Sequence, residues 1–134
     1  MTSEELIQKA ESVLNSHKTS DDRLFGDVGA ALISEEGNVY TGVCVDTASW
    51  GLCAERSAIA AMVTAKEYKI KKIVGVWKDE KEGKLYVLPP CGICREFIRR
   101  VDESNLETEV VLGKDNAVKL KELLPHYEWP MPLE

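Results

Sequence analysis

The sequence predicts an α/β sandwich: a mixed sheet of five strands, covered by helices on both faces as three layers, α/β/α. Three observations predict it. Helical and extended hydrophobic patterns alternate along the chain. One segment, Ile73 to Trp77, is almost wholly apolar, as expected of a strand buried on both sides. The remaining apolar runs are short and separated by turn residues.

The elements follow in order. Thr2 with Glu5 forms a capping-box start, and Leu6, Ile7, Ala10, Val13 and Leu14 recur at helical spacing, so a first helix is expected to run to about His17. Val28 to Ile33 and Val39 to Val45 read as strands joined by the turn Glu35-Glu36-Gly37-Asn38. Ala54 to about Ala65 is alanine-rich and helical. The buried strand 73–77 leads through a charged turn, Asp79 to Lys84, into a strand at Leu85 to Leu88. Pro89-Pro90 stops that strand, and a helix is expected from Cys91 to about Val101. A fifth strand at Glu109 to Leu112 and a last helix at Val118 to Leu124, ended by Pro125, complete the series.

Length and composition limit what such a domain does. The chain has 134 residues, 44% apolar and 30% charged, the balance of one folded domain spanning residues 1–134. Lys plus Arg number 17 and Asp plus Glu 23, a net charge of −6 that argues against a phosphate-coated partner. Lys66, Lys69, Lys71 and Lys72 make the nearest approach to a basic patch, but only Tyr68 accompanies them, so nucleic-acid binding is not expected. The longest apolar run, Ala58 to Val63, is far too short to span a membrane, and the acidic start lacks the basic region of a signal peptide. A cytoplasmic location is the expectation, and there cysteines serve as ligands, nucleophiles or core residues rather than disulfides.

Four cysteines are present: Cys44, Cys53, Cys91 and Cys94. Cys53-Ala54-Glu55 and Pro90-Cys91-Gly92-Ile93-Cys94 each open an expected helix at the end of a strand, where open α/β sheets place ligands. The spacing of Cys91 and Cys94 puts both sulfurs on one face of a first helical turn. With Cys53 they make three thiolate ligands for one zinc ion, Zn2+, and leave a fourth position for water. Three thiolates weaken the metal as a Lewis acid. Two helix N-termini, and hydrogen bonds from Arg56 and Arg95, would offset that charge. Glu55 falls beside the metal without binding it, where a carboxylate can carry a proton from water to a ring nitrogen and a leaving amine. Other readings of the cysteines are a redox pair, or a structural zinc module that uses all four.

The combination Cys53-Ala54-Glu55-Arg56 and Pro90-Cys91-Gly92-Ile93-Cys94-Arg95 resembles the cytidine deaminase family. Val28-Gly29-Ala30-Ala31-Leu32, Thr41-Gly42-Val43 and Glu122-Leu123-Leu124-Pro125 extend the resemblance over most of the chain. It implies a five-stranded, helix-wrapped homotetramer with sites at subunit interfaces. It also implies zinc on Cys53, Cys91 and Cys94, with Glu55 as the catalytic proton carrier to the pyrimidine. The Ala54 N–H would meet the ring O2, and Phe25 would lie near the base. The implied reaction is hydrolytic deamination of a small cytosine nucleoside such as cytidine, deoxycytidine or an analogue. Editing deaminases of RNA or DNA are a further class, but they resemble this chain less: their first ligand is typically His, and their surfaces are basic.

The pattern departs from the family at the sugar. An Asn-x-Glu pair that holds ribose hydroxyls is replaced by Cys44-Val45-Asp46, which makes Cys44 and Asp46 candidate substrate contacts. The interval from Cys44 to Cys53 is two residues shorter than usual. In that, and in Tyr127 and Trp129 near the end, the chain resembles the blasticidin-S deaminase branch. Those two aromatics are candidates to reach a neighbouring subunit's site. Ala48-Ser49-Trp50-Gly51 is more similar to the cytidine enzymes.

Overall fold

A computed structural model describes residues 1–128 and 130–133. Its elements are α1 (Ser3–Ser12), β1 (His17–Lys18), β2 (Leu24–Phe25), β3 (Val28–Ser34), β4 (Val39–Val43), β5 (Val45–Asp46), β6 (Gly51–Leu52), α2 (Ala54–Thr64), β7 (Ile70–Lys78), β8 (Leu85–Leu88), α3 (Gly92–Val101), β9 (Glu109–Gly113) and β10 (Asn116–Lys119). Short 3-10 turns follow α3 (Glu103–Glu107) and β10 (Leu120–Leu123).

The main sheet is mixed, in the order β10-β9-β7-β3-β4, with β8 added to the far half of β7 beyond β9. That makes six strands where five were expected. Only the β7–β9 pair is parallel. Period-two alternation divides the core between the two faces. Ala30, Leu32, Ile73 and Val110 pack with Ala54, Ala58, Ile59, Met62 and Ile98 of α2 and α3. Ala31, Val74, Val76 and Val111 pack with Leu6 and Ala10 of α1. These are the expected three layers. β4 crosses close above α2: a Cβ on Gly42 would lie 2.4 Å from the Ala58 nitrogen, so only glycine permits that approach.

Two boundaries differ from expectation. The capping box of Thr2 and Glu5 forms, but α1 stops at Ser12 rather than near His17. Leu14 N–H turns back to Glu11, and Asn15 N–H crosses to the Gly26 carbonyl at 2.9 Å, drawing the chain away from the helix axis. At the other end, the expected helix 118–124 is absent. Asn116–Lys119 folds back on β9, and Leu120 N–H bonds the Thr108 carbonyl at 2.9 Å, leaving only a 3-10 turn to carry the buried Leu120 into the core. Among the described residues no helix is long and apolar enough to cross a membrane.

Candidate functional site

Both cysteine segments sit at helix starts, and each start is made by a cysteine in extended conformation. Cys53 is the residue before α2 and Cys91 the residue before α3. The Cys91 Sγ accepts the Cys94 N–H at 3.5 Å, capping α3; Cys53 makes no such bond, so its sulfur is not used by its own helix. The Sγ atoms of Cys53 and Cys91 are 3.6 Å apart, and all three sulfurs of Cys53, Cys91 and Cys94 lie within 4.8 Å of one another. A tetrahedron with zinc–sulfur bonds of about 2.3 Å has edges of about 3.8 Å, so the cluster matches a zinc site in both donor type and spacing. A second observation agrees with it. The Nε of Arg56 is buried without a hydrogen-bond partner, and the sulfurs of Cys53 and Cys94 lie close enough to hold the guanidinium proton more firmly than usual. An unused donor beside three sulfurs fits a site built for anionic thiolates. The residues therefore fit one zinc ion per chain.

The three thiols differ before any cation binds. Burial, then the nearby Glu55 carboxyl, pushes the fully buried Cys94 thiol well above its usual range. Burial also opposes ionisation of Cys91, but backbone N–H groups of Cys94 and Ile93 and the adjoining thiols outweigh it and lower its pKa. A bound divalent cation would deprotonate all three.

Glu55 lies in the first turn of α2 and is only 6% exposed. Its carboxylate rests against bare backbone of β7: a Cβ on Gly75 would come within 3.1 Å of Oε2. Burial raises its pKa, opposed by its own backbone N–H and by Arg56. Gly75 was not singled out in the sequence. A lone glycine inside an apolar strand is nevertheless the signal of a close approach.

The remaining candidates divide. Phe25 is half-buried on β2, stacked on His17 at 6.3 Å, and β2 runs beside β5. Ala54 is fully buried at the first position of α2, where a backbone N–H lacks a helical acceptor. Cys44 stands outside the sulfur cluster. Its thiol donates to Asp27 Oδ1 at 3.1 Å, and its pKa is raised by burial first and then by Asp27. The four-cysteine structural module is therefore not favoured. Asp46 is exposed, and its Oδ1 accepts the Ala48 N–H at 3.0 Å, closing its own loop. Arg95 departs from expectation. It donates to the carbonyls of Pro90 at 2.8 Å and Leu123 at 3.2 Å, clamping the entry to α3 to the C-terminal turn rather than contacting sulfur. Tyr127 lies against Arg99, whose guanidinium carbon is 4.9 Å from the ring centre, on α3 of its own chain. Trp129 lies outside the described residues.

Comparison with known proteins agrees with this arrangement. Residues 1–109 match the family described as the cytidine and deoxycytidylate deaminase zinc-binding region. A probable cytidine deaminase of Dictyostelium discoideum is 42% identical over 72 residues, 52% of this chain but only 46% of that protein's length. A cytidine deaminase of Halalkalibacterium halodurans is 34% identical over 104 residues, covering 73% of this chain and 74% of that one. A blasticidin-S deaminase of Bacillus cereus is 29% identical over the same shares of both chains. Among solved structures, a cytidine deaminase from Burkholderia pseudomallei superposes with a TM-score of 0.73 at 28% identity, covering 94% of this chain and 98% of the other.

Proposed function

Because the chain belongs to the cytidine and deoxycytidylate deaminase family, we propose that it hydrolyses the exocyclic amine from C4 of a small cytosine nucleoside or nucleoside analogue. The products would be the corresponding uracil compound and ammonia. The observation that carries this reading is the juxtaposition of three clustered sulfurs with a buried carboxylate that is not one of them.

Zinc held by Cys53, Cys91 and Cys94 would supply a water of lowered pKa as nucleophile. Glu55 then does the proton work. Its carboxylate accepts one proton of the attacking water and delivers it to ring N3, then takes the remaining proton from the hydroxyl newly attached at C4 and passes it to the amine, which leaves as ammonia while the C4 carbonyl forms. The burial that raises its pKa makes the carboxylate a stronger proton acceptor than an exposed one, which suits a group that must take up a proton before passing it on. The absence of a side chain at Gly75 leaves room for the buried carboxylate to lie against the strand backbone. The Ala54 N–H, at the positive end of α2, is suited to hold the ring O2 and so to orient C4. Arg56 spreads part of the sulfur charge, so that the metal remains an effective Lewis acid. Arg95 acts one step back, fixing where Cys91 and Cys94 start their helix.

Assembly as a homotetramer is part of the same reading. It is supported by apolar side chains left open to solvent: Trp50 at 76%, Ile93 at 64% and Phe97 at 39%. Light scattering in solution measures the mass directly, and a monomer would remove the shared-site arrangement. The test of the activity is ammonia release by zinc-loaded protein over cytidine, deoxycytidine, free cytosine and blasticidin S. Release from at least one nucleoside is expected. No release from any of them, with one zinc per chain bound, would overturn the proposal.

A further inference from the structure

We propose that Cys91 is a site of oxidation by peroxide, and that its oxidation joins it to Cys53 in a reversible disulfide that expels the metal. This rests on the zinc site of the deaminase reading above, though not on the reaction itself. The spacing Cys91-Gly92-Ile93-Cys94 alone points to a different pair, Cys91 with Cys94. The structure redirects it. Cys53 and Cys91 stand at the starts of two different helices, 38 positions apart in the chain, with their Sγ atoms in contact at 3.6 Å.

The three sulfurs of the cluster differ in access. Cys91 is exposed, Cys53 half-buried and Cys94 fully buried. The rim beside Cys91 is open: a Cβ on Gly92 would meet nothing within 4 Å, and Ile93 is exposed. A small uncharged oxidant therefore reaches Cys91 first. The sulfurs also differ in freedom. Cys53 and Cys91 are extended residues just outside their helices. The Cys53 sulfur caps nothing, and Cys91 gives up only the long bond from Cys94 N–H at 3.5 Å. Cys94 lies inside α3 with its side chain packed in the interior. Cys44 is no rival, since its thiol is bonded to Asp27 and lies outside the cluster. A disulfide bond is about 2.05 Å long, so Cys53 and Cys91 have about 1.6 Å to close, a distance that two side-chain rotations share.

The oxidant is hydrogen peroxide, and the steps balance. The Cys91 sulfur attacks one peroxide oxygen and the O–O bond breaks, leaving a sulfenic acid on Cys91 and one water. The Cys53 sulfur then attacks the Cys91 sulfur; the S–O bond breaks, the S–S bond forms and a second water departs. Two electrons from the sulfurs reduce one peroxide to two waters. The two protons needed come from the thiols, or from solvent where the sulfurs were held as thiolates. Cys94 is then the one sulfur of the cluster left to bind, too few for a zinc site, so the ion is released. A dithiol reverses the change by exchange, becoming a disulfide itself and returning both thiols. The deaminase would thus be switched off by peroxide and restored by reductant and zinc.

The test treats zinc-loaded wild-type protein with a modest excess of hydrogen peroxide. Released zinc is read with a chromophoric chelator, and the sulfur linkage by mass mapping of unreduced peptides. The expected result is loss of the bound zinc together with a Cys53–Cys91 linkage, both undone by dithiothreitol and fresh zinc. Cys44→Ser should give the same linkage. The cross-link should also raise the thermal midpoint of the oxidised, zinc-free protein by at least about 5 °C over the reduced, zinc-free form, because it closes a span of 38 positions. A Cys91–Cys94 linkage closes too small a ring to do so. Finding that linkage, finding sulfinic acid in place of a disulfide, or finding zinc retained with every thiol intact overturns the proposal. Ammonia release is read separately, before oxidation. A protein that releases none yet forms the Cys53–Cys91 bond and loses its zinc refutes deamination and supports the switch. Full release with thiols that resist peroxide does the reverse.

Discussion

The two ends of the β3–β4 hairpin are built on opposite principles, and α2 runs from one to the other. At the far end, past the C-terminus of α2, the Glu67 carboxylate is 8% exposed and three side-chain donors are aimed at it: Ser34 Oγ at 2.5 Å, Asn38 Nδ2 at 2.9 Å and the Tyr40 hydroxyl. Beside it, Asn105 is almost fully buried and satisfied through three bonds, to the Ile70 N–H and the Tyr68 and Ile98 carbonyls. At the near end, the Arg56 Nε has no partner, three thiols crowd together, and a carboxyl is buried beside them with its pKa raised. One end satisfies its polar groups internally and so contributes stability. The other leaves them unsatisfied and so is available to a ligand. A buried polar group without a partner is costly, and proteins tolerate that cost where it serves binding or chemistry.

The contrast can be broken most severely at the near end. Cys94→Ala should abolish stoichiometric zinc by elemental analysis and with it measurable deamination, since a two-sulfur site no longer closes around the ion. Next in size is Glu55→Gln, expected to retain one zinc per chain and lose on the order of a thousandfold in kcat. Retained turnover in that variant removes Glu55 from the proton path. The far end should respond in the opposite currency. Asn105→Ala strands a buried N–H, a buried carbonyl and a partly buried one, and should cost about 3 kcal/mol, or roughly 10 °C in thermal midpoint, without changing zinc content or KM. A loss of zinc there would mean that the two ends are not separable.

The smallest effect is a pH signature. The bond to Glu67, then burial, raises the Tyr40 pKa from 10.0 to about 12, so the neutral phenol is favoured by folding. That contribution is complete below pH 10 and disappears as the pH rises toward 12. Glu67 is shifted the other way, lowered by the Ser34 and Tyr40 donors, so its contribution holds above about pH 4.5 and is lost as acid titrates it. Tyr40→Phe should flatten the alkaline fall in thermal midpoint while leaving the site's zinc in place. An unchanged alkaline limb would show that the phenol is not what titrates.

What could be read from the sequence follows the same division. The near end was legible because its chemistry needs particular residue types at fixed intervals: Cys53, Glu55, Cys91 and Cys94 announce themselves, and the two β-to-α junctions follow from the apolar run and the prolines before them. The hairpin of β3 and β4 and the capping box of α1 are equally local. The far end was not legible, because Glu67, Asn105 and Tyr40 carry no spacing rule and meet only after folding. The end of α1 and the short last strand were misjudged for a related reason. Asn15 and Leu120 each find a distant carbonyl that outcompetes the helical one. Arg95 looked like a thiolate donor because it is adjacent in sequence, yet the helix turns its side chain toward the carbonyls of Pro90 and Leu123 instead.

At Gly75 a single missing methyl has a wider consequence. The partition beside the acid of α2 is peptide from the sheet's central strand, shared with β3 and β8, so it cannot swing aside as a side chain would. Acidity at this site is thus tied to the rigidity of the whole sheet, and a local wobble of the helix alone would be felt as a change in proton affinity. Gly75→Ala would act as a fixed wedge, altering how readily the carboxyl gives up its proton without touching a ligand sulfur.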